Sequence, residues 1–195
     1  MVIQISLKKG VWEALADSAM DRILNWFFAY PEDGFTLNDL CKVTNTAKKT
    51  ANMVVEKLVQ AGFLEKQVYG KLWRLSARKK HPFFVTRKIP TNLRMVYESG
   101  ILDALLQMYP QARSIILFGS YRKGDDIPAS DIDVAVELPG KISQKIVELG
   151  TIRHFGYRHD VKVNVYIFSR SSIDNNVFAN IANGIVLWGF LEVKP

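Results

Sequence analysis

Two short runs in this 195-residue chain hold residue types suited to chemistry on phosphate. The first is Gly119-Ser120-Tyr121-Arg122-Lys123-Gly124, which follows the continuous apolar run Ser114-Ile115-Ile116-Leu117-Phe118. Such a run has the length of a strand buried on both faces. A glycine and a serine directly after it leave backbone N–H groups and a hydroxyl free to hold phosphate oxygens. Arg122 and Lys123 add cations beside them. The second run, Asp131-Ile132-Asp133, begins after ten intervening residues and opens an alternating stretch that predicts a strand over 130–138. Period two places Asp131 and Asp133 on one face, with Ile132, Val134 and Val136 on the other. Two carboxylates one pleat apart repel each other, which costs little only in water or around a cation. Mg²⁺ commonly takes one or two carboxylates together with substrate phosphates, and so suits this pair. Taken alone, a Gly-Ser pair reads as a turn and an acidic strand end as a solvated edge. Together they point to a phosphate-and-metal site.

The elements that must position these residues are predicted as a helix over 91–108 ended by Pro110, the strand 114–118, the strand 130–138 and a further strand Val161–Phe168. Gly119-Ser120, ten residues, then Asp131-x-Asp133 resembles the signature of the DNA-polymerase-β-like nucleotidyltransferase superfamily in its minimal form. The stretch Phe178–Gly189 is similar to the last helix and strand of those domains. The resemblance covers about residues 91–195. It implies that Asp131 and Asp133 are catalytic and bind Mg²⁺, and that Gly119 and Ser120, joined by Arg122 and Lys123, bind a nucleoside triphosphate, ATP first. An acceptor hydroxyl would attack the α-phosphoryl group in line and release pyrophosphate, with metal ions spreading the developing charge. The family carries a third carboxylate on a neighbouring strand, where this chain has Val163-Asn164-Val165. Asn164 offers one neutral carbonyl oxygen to a metal and cannot act as a base. Asp160 lies four residues away, roughly 13 Å along a strand.

The N-terminal half carries a different pattern. Apolar residues at helical spacing predict a first helix over 11–30, stopped by Pro31 and Gly34. Thr36 is positioned to cap a short second helix through Val43, and Thr44-Asn45-Thr46 reads as a turn ending in a cap for a third helix over 47–60. Two short strands, 63–68 and 72–75, flank a turn at Tyr69-Gly70-Lys71. This order, and the passage Lys57-Leu58-Val59-Gln60-Ala61-Gly62-Phe63-Leu64-Glu65, resembles the winged helix-turn-helix family over residues 10–76. That resemblance implies duplex DNA as a partner, with Asn45, Thr46, Lys48, Lys49 and Thr50 at the start of the third helix facing the groove. Lys66, Lys71 and Arg74 on the wing would meet backbone phosphates. Residues 77–90, with Pro82 and Pro90 around basic residues, suit an exposed connection. The expected fold class is therefore α+β, with a winged helix-turn-helix over 1–80, a linker over 81–90 and a small mixed-sheet nucleotidyltransferase domain over 91–195.

Charge supports the division. Residues 1–90 hold 15 Lys and Arg against 8 Asp and Glu, while residues 91–195 hold 11 of each, so the whole excess of +7 falls in the first half. Between Lys66 and Tyr97 nine basic residues occur without one acid, a density that favours a polyanion through counterion release. At 48% apolar and 23% charged residues the chain has the balance of a folded globular protein. No apolar run approaches membrane-spanning length, and the N-terminus lacks the residue order of a secretory signal. The expectation is a cytoplasmic protein with no membrane partner. Cys41 is the one cysteine, so internal disulfides and cysteine-rich zinc sites are excluded. Three activities fit these features: Mg²⁺-dependent transfer of a nucleoside monophosphate; a DNA-binding transcriptional regulator whose degenerate transferase domain binds nucleotide or protein; and an antitoxin-like adenylyltransferase with a protein acceptor. A homodimer would suit a winged helix that reads paired half-sites.

Overall fold

The computed structural model describes residues 18–70 and 72–193. The expected beginning of the first helix, residues 11–17, and Lys71 lie outside them. The chain divides into two compact units, with the boundary between Lys88 and Ile89.

In the first unit, helix α1 (Ala19–Ala29) starts at Ser18, whose hydroxyl oxygen accepts the Asp21 N–H while the Asp21 carboxylate accepts the Ser18 N–H. This reciprocal capping box satisfies two orphan donors. Strand β1 (Gly34–Phe35) follows, and then α2 (Leu37–Val43), started by the same device between Thr36 and Asp39. Helix α3 spans Lys48–Gln60, and strands β2 (Leu64–Tyr69) and β3 (Leu72–Ala77) form an antiparallel hairpin. The sheet order is β1-β3-β2. Ile23, Phe27, Leu40, Ala51, Val55, Phe63 and Leu75 are fully buried and hold the layers together.

Two expectations change here. Thr46 does not cap α3: Ala47 occupies that position and makes no side-chain cap bond. The Thr46 hydroxyl is buried, donates to the Thr44 carbonyl at 3.1 Å and accepts from Arg22 Nη2 at 3.3 Å. Inward hydrogen bonds outcompete the cap. Residues 81–90 contain the boundary between the units, as expected of a connection, but they are largely helical and only partly exposed. Phe84–Lys88 forms a turn of π-helix, and the next helix begins at Ile89. Phe84 is buried against Phe28 and Phe63, at centroid distances of 5.4 and 5.7 Å. His81 fixes the approach, with Nδ1 accepting the Phe83 N–H at 3.2 Å and Nε2 3.0 Å from the Ala61 carbonyl. Burial of aromatic rings outweighs the turn-favouring prolines.

The second unit opens with α4 (Ile89–Glu98) and α5 (Ile101–Met108). These replace the single helix expected over 91–108. The break falls at Gly100, whose φ of 77° is left-handed and ends α4. Strands β4 (Ser114–Phe118), β5 (Ile132–Glu137), β6 (Lys145–Phe155), β7 (Arg158–Phe168) and β8 (Ile185–Gly189) build one sheet in the order β6-β7-β5-β4-β8. Among the described residues, only β5 and β7 pair in parallel. One face packs Ile115, Leu117, Ile132, Val134, Val136, Val163 and Val165 against Val96, Ile101 and Leu105 of the two helices. The other packs Ile116, Phe118, Ala135 and Phe168 against Ile181 of α7 (Asn175–Ala182). Between β4 and β5 lies the short helix α6 (Gly119–Lys123). The whole is a mixed α+β structure with two sheets, consistent in its second unit with a small nucleotidyltransferase fold. No described helix is long and apolar enough to cross a membrane.

Candidate active site

Antiparallel pairing of β4 with β5 sets Phe118 opposite Asp133, so the chain leaves β4 directly beside that carboxylate. The next residue must be small. A Cβ on Gly119 would lie 2.6 Å from Asp133 Oδ2, and Gly119 has a left-handed φ of 72°. Only glycine meets both conditions without strain. The turn then tightens into α6, closed by the Gly124 N–H on the Ser120 carbonyl at 2.8 Å. Ser120 and Arg122 are half-buried, and Lys123 is exposed.

Tyr121, between them, points inward and is 1% exposed. Its hydroxyl accepts from Arg158 Nη1 at 2.7 Å, and its carbonyl accepts from Asn92 Nδ2 at 3.0 Å. Asn92 Nδ2 also donates to Asp126 Oδ1 at 2.7 Å, and Asp126 forms a buried ion pair with Arg158. Burial pushes the Tyr121 phenol up to about 12; the Asp126 charge adds to this, and the Arg158 charge opposes it. A buried polar network thus ties α6 to α4 and to the start of β7. Its cue in the sequence is faint: Asn92 occupies an apolar-stripe position, and Arg158 sits in what reads as a polar turn.

The two carboxylates converge. Asp131 precedes β5, Asp133 lies within it, and parallel pairing puts Asn164 of β7 beside Asp133. Asn164 Nδ2 donates to Asp131 Oδ2 at 3.2 Å and to Asp133 Oδ1 at 3.3 Å. Asp133 is raised above the ordinary carboxylate range, chiefly by burial; the Asp131 charge adds, and the Asn164 hydrogen bond opposes. Tyr166, two residues beyond Asn164, is likewise raised by burial and then by the two aspartates, and its ring meets Phe118 edge-on at 4.9 Å. Asp160 is exposed, with a φ of 53°, four residues back along β7.

This donor set fits Mg²⁺. Two hard carboxylate oxygens already share one electropositive nitrogen, and turning the Asn164 amide would present a third oxygen at the same point. Among the described residues, no third Asp, Glu, His or Cys side chain groups with the pair as a metal cluster. The histidines add none: His154 and His159 stack edge-on across the β6–β7 hairpin at 4.9 Å.

In the first unit, Asn45, Lys48 and Lys49 are exposed at the start of α3, Asn45 with a φ of 45°, and Thr50 is half-buried. Lys48 and Lys49 line an open recess of about 380 Å³ with Thr36, Asn52, Leu72 and Trp73. Arg74 is exposed. Lys66 is half-buried, paired with Glu56 at 2.6 Å and set 3.4 Å over the Trp73 ring. It is thus less available to a phosphate than its place in the sequence suggests.

Residues 98–178 match the family model described as a nucleotidyltransferase domain. The matched span contains Gly119, Ser120, Asp131, Asp133 and Asn164, and it supports a general nucleotidyltransferase function and a place among the transferases. No curated protein matches the chain.

Proposed function

We propose that the unit from Ile89 onward is a Mg²⁺-dependent nucleotidyltransferase that moves a nucleoside monophosphate from a triphosphate, ATP first, to an acceptor hydroxyl. The observation that carries this reading is the convergence of Asp131 and Asp133 on one point beside the Gly119 turn. In this reading the backbone of Gly119 and Ser120 holds triphosphate oxygens, and Arg122 and Lys123 add positive charge. Asp131, Asp133 and the Asn164 carbonyl would hold Mg²⁺, which screens charge on attacking and leaving oxygens. The buried network beneath Tyr121 keeps the turn from moving as phosphate charge arrives. Calorimetry on the full chain tests the reading. Mg²⁺-dependent ATP binding is expected in the parent and not in the D131N/D133N variant, with both proteins folded. Equal binding by both would place the phosphate site elsewhere.

The unit up to Lys88 is read as a winged helix-turn-helix that contacts duplex DNA. Its succession of α1, β1, α2, α3 and a hairpin with sheet order β1-β3-β2 supports this, as do Lys48 and Lys49 exposed on α3. Binding by the full chain should weaken steeply with salt, and K48A/K49A should weaken it further. No retardation of duplex DNA at low salt would make this unit a protein-docking module. A regulator with a degenerate transferase domain is the second reading, favoured by Asn164 where the family has a carboxylate.

A further inference from the structure

We infer that Glu148, on β6 at the edge of the sheet among the described strands, supplies the proton-accepting carboxylate that β7 lacks, as a catalytic residue acting on the acceptor hydroxyl. The inference rests on the nucleotidyl-transfer reading above and concerns which residue takes the proton.

The β6–β7 register sets Glu148 directly opposite Asn164, and the β5–β7 register sets Asn164 beside Asp133. Residues paired across neighbouring strands project to the same face of a sheet. Glu148, Asn164 and Asp133 therefore form one row on the face where the two aspartates converge. With strands about 4.8 Å apart, the Glu148 Cα lies about 5 Å from that of Asn164 and about 10 Å from that of Asp133. A glutamate carries its carboxylate one methylene farther than an aspartate, so a rotamer of Glu148 turned over Asn164 would span much of the distance to the aspartates. The remaining gap suits a hydroxyl group. Asp160 has no such position.

Three further observations single out Glu148. A bulge in β6 falls between Glu148 and Gly150, and Leu149 returns to the core beneath it at 3% exposure. Bulges are common beside active sites, and the regular register from Lys145 up to this one puts Glu148 on the site face, opposite Asn164. Glu148 is exposed, and its side chain makes no hydrogen bond or ion pair among the described residues, so its carboxylate is free to accept. Asn164 has no basic atom to offer and is engaged with both aspartates.

The step balances. The acceptor O–H proton passes to the Glu148 carboxylate as the acceptor oxygen bonds to the α-phosphorus. The bond from that phosphorus to the bridging oxygen breaks, and its electron pair leaves on pyrophosphate. Glu148 then returns the proton to water, which also serves as the simplest acceptor and yields AMP.

The test uses the full chain, labelled ATP and Mg²⁺, with water, total RNA and soluble protein as acceptors, and calorimetry of Mg²⁺-dependent ATP binding alongside. E148Q should slow product formation about 10²- to 10⁴-fold, the usual worth of a positioned base, and leave ATP binding within a factor of two. E148D, with its shorter arm, should recover part of the rate. Transfer by E148Q at the parental rate would overturn the inference, as would loss of ATP binding, which would make Glu148 a ligand. A parent that binds Mg²⁺ and ATP but forms no product with any acceptor would also overturn it. A parent that does not bind them would instead overturn the transferase reading itself.

Discussion

Replacing Gly119 with alanine tests the geometry on which the candidate site depends. The new Cβ would lie 2.6 Å from Asp133 Oδ2, whereas ordinary contact begins at 3.4 Å, so the carboxylate must retreat by about 0.8 Å. Strands β4 and β7 flank β5 on opposite sides, so that retreat pushes the carboxylate toward Asn164 and distorts the hydrogen bond, now 3.3 Å, that Asn164 donates to Asp133 Oδ1. Hydrogen bonds to charged groups contribute about 1.5–3 kcal/mol, and the half-exposed position argues for the lower end. A left-handed φ of 72° adds about 1–2 kcal/mol for a residue with a Cβ. Loss of glycine's freedom in the unfolded chain returns about 0.4–1 kcal/mol. The net cost is about 2–3 kcal/mol, or a Tm lower by about 10–20 °C for a domain of this size. Gly100 provides the control: its φ is 77°, but nothing lies within 4 Å of a Cβ there. G100A should therefore cost only about 1 kcal/mol. Thermal unfolding of both variants, with calorimetry of Mg²⁺-dependent ATP binding, separates the terms. G119A should lose binding, and G100A should keep it. If the two variants melt within a degree or two of each other and both bind ATP, the Gly119–Asp133 contact is not what shapes the site.

Three more outcomes are expected. N164D, a third carboxylate beside the pair, should tighten Mg²⁺ at least about tenfold, lower stability in chelator and speed transfer; a Mg²⁺ titration of Tm that matches the parent would refute the convergence of the three side chains. R158M takes the Arg158 charge from buried Asp126 and should cost about 3–5 kcal/mol, whereas D126L/R158M should cost less than the two single changes added, since breaking one side of a buried ion pair costs more than removing both; additive losses in urea unfolding would count against a coupled network. Tyr121, raised from 10.0 to about 12, favours folding fully below pH 10 and loses that contribution as pH climbs through 12. Two pKa units amount to about 2.7 kcal/mol, so Y121F should flatten stability between pH 10 and 12, and an unchanged slope would assign the alkaline loss to other groups.

Much of the second unit was legible because burial writes itself into period. The run 114–118 is buried throughout, and the alternation around Asp133 puts its carboxylate on the site face. Short-range hydrogen-bond chemistry was legible too: Thr36 caps α2 as its position suggested. What escaped depends on partners distant in the chain. Strand β6 lost its period-two signature because the bulge at Leu149 shifts the alternation midway. The tie between Asn92, Asp126 and Arg158 spans more than thirty residues, and no local pattern announces it. Thr46 carries a good cap residue's chemistry, but Arg22 and Thr44 claim its hydroxyl. Phe84 sits among prolines and lysines, yet reaches a core built by Phe28 and Phe63.

The parallel pairing of β5 with β7 has a consequence for the order in which the domain acquires its parts. Asp133 and Asn164 are neighbours only after 31 residues have looped out and returned. Such closures are slow to form compared with hairpins. The antiparallel pair β6–β7 can zip locally, which would bring Glu148 and Asn164 together as a preassembled ribbon before either meets the aspartates. Strand β8 then seals the free side of β4. During synthesis, therefore, a nascent chain that has exposed Gly119, Asp131 and Asp133 still presents an acidic turn without its neighbour strand. The complete row forms only when β7 has left the ribosome and docked.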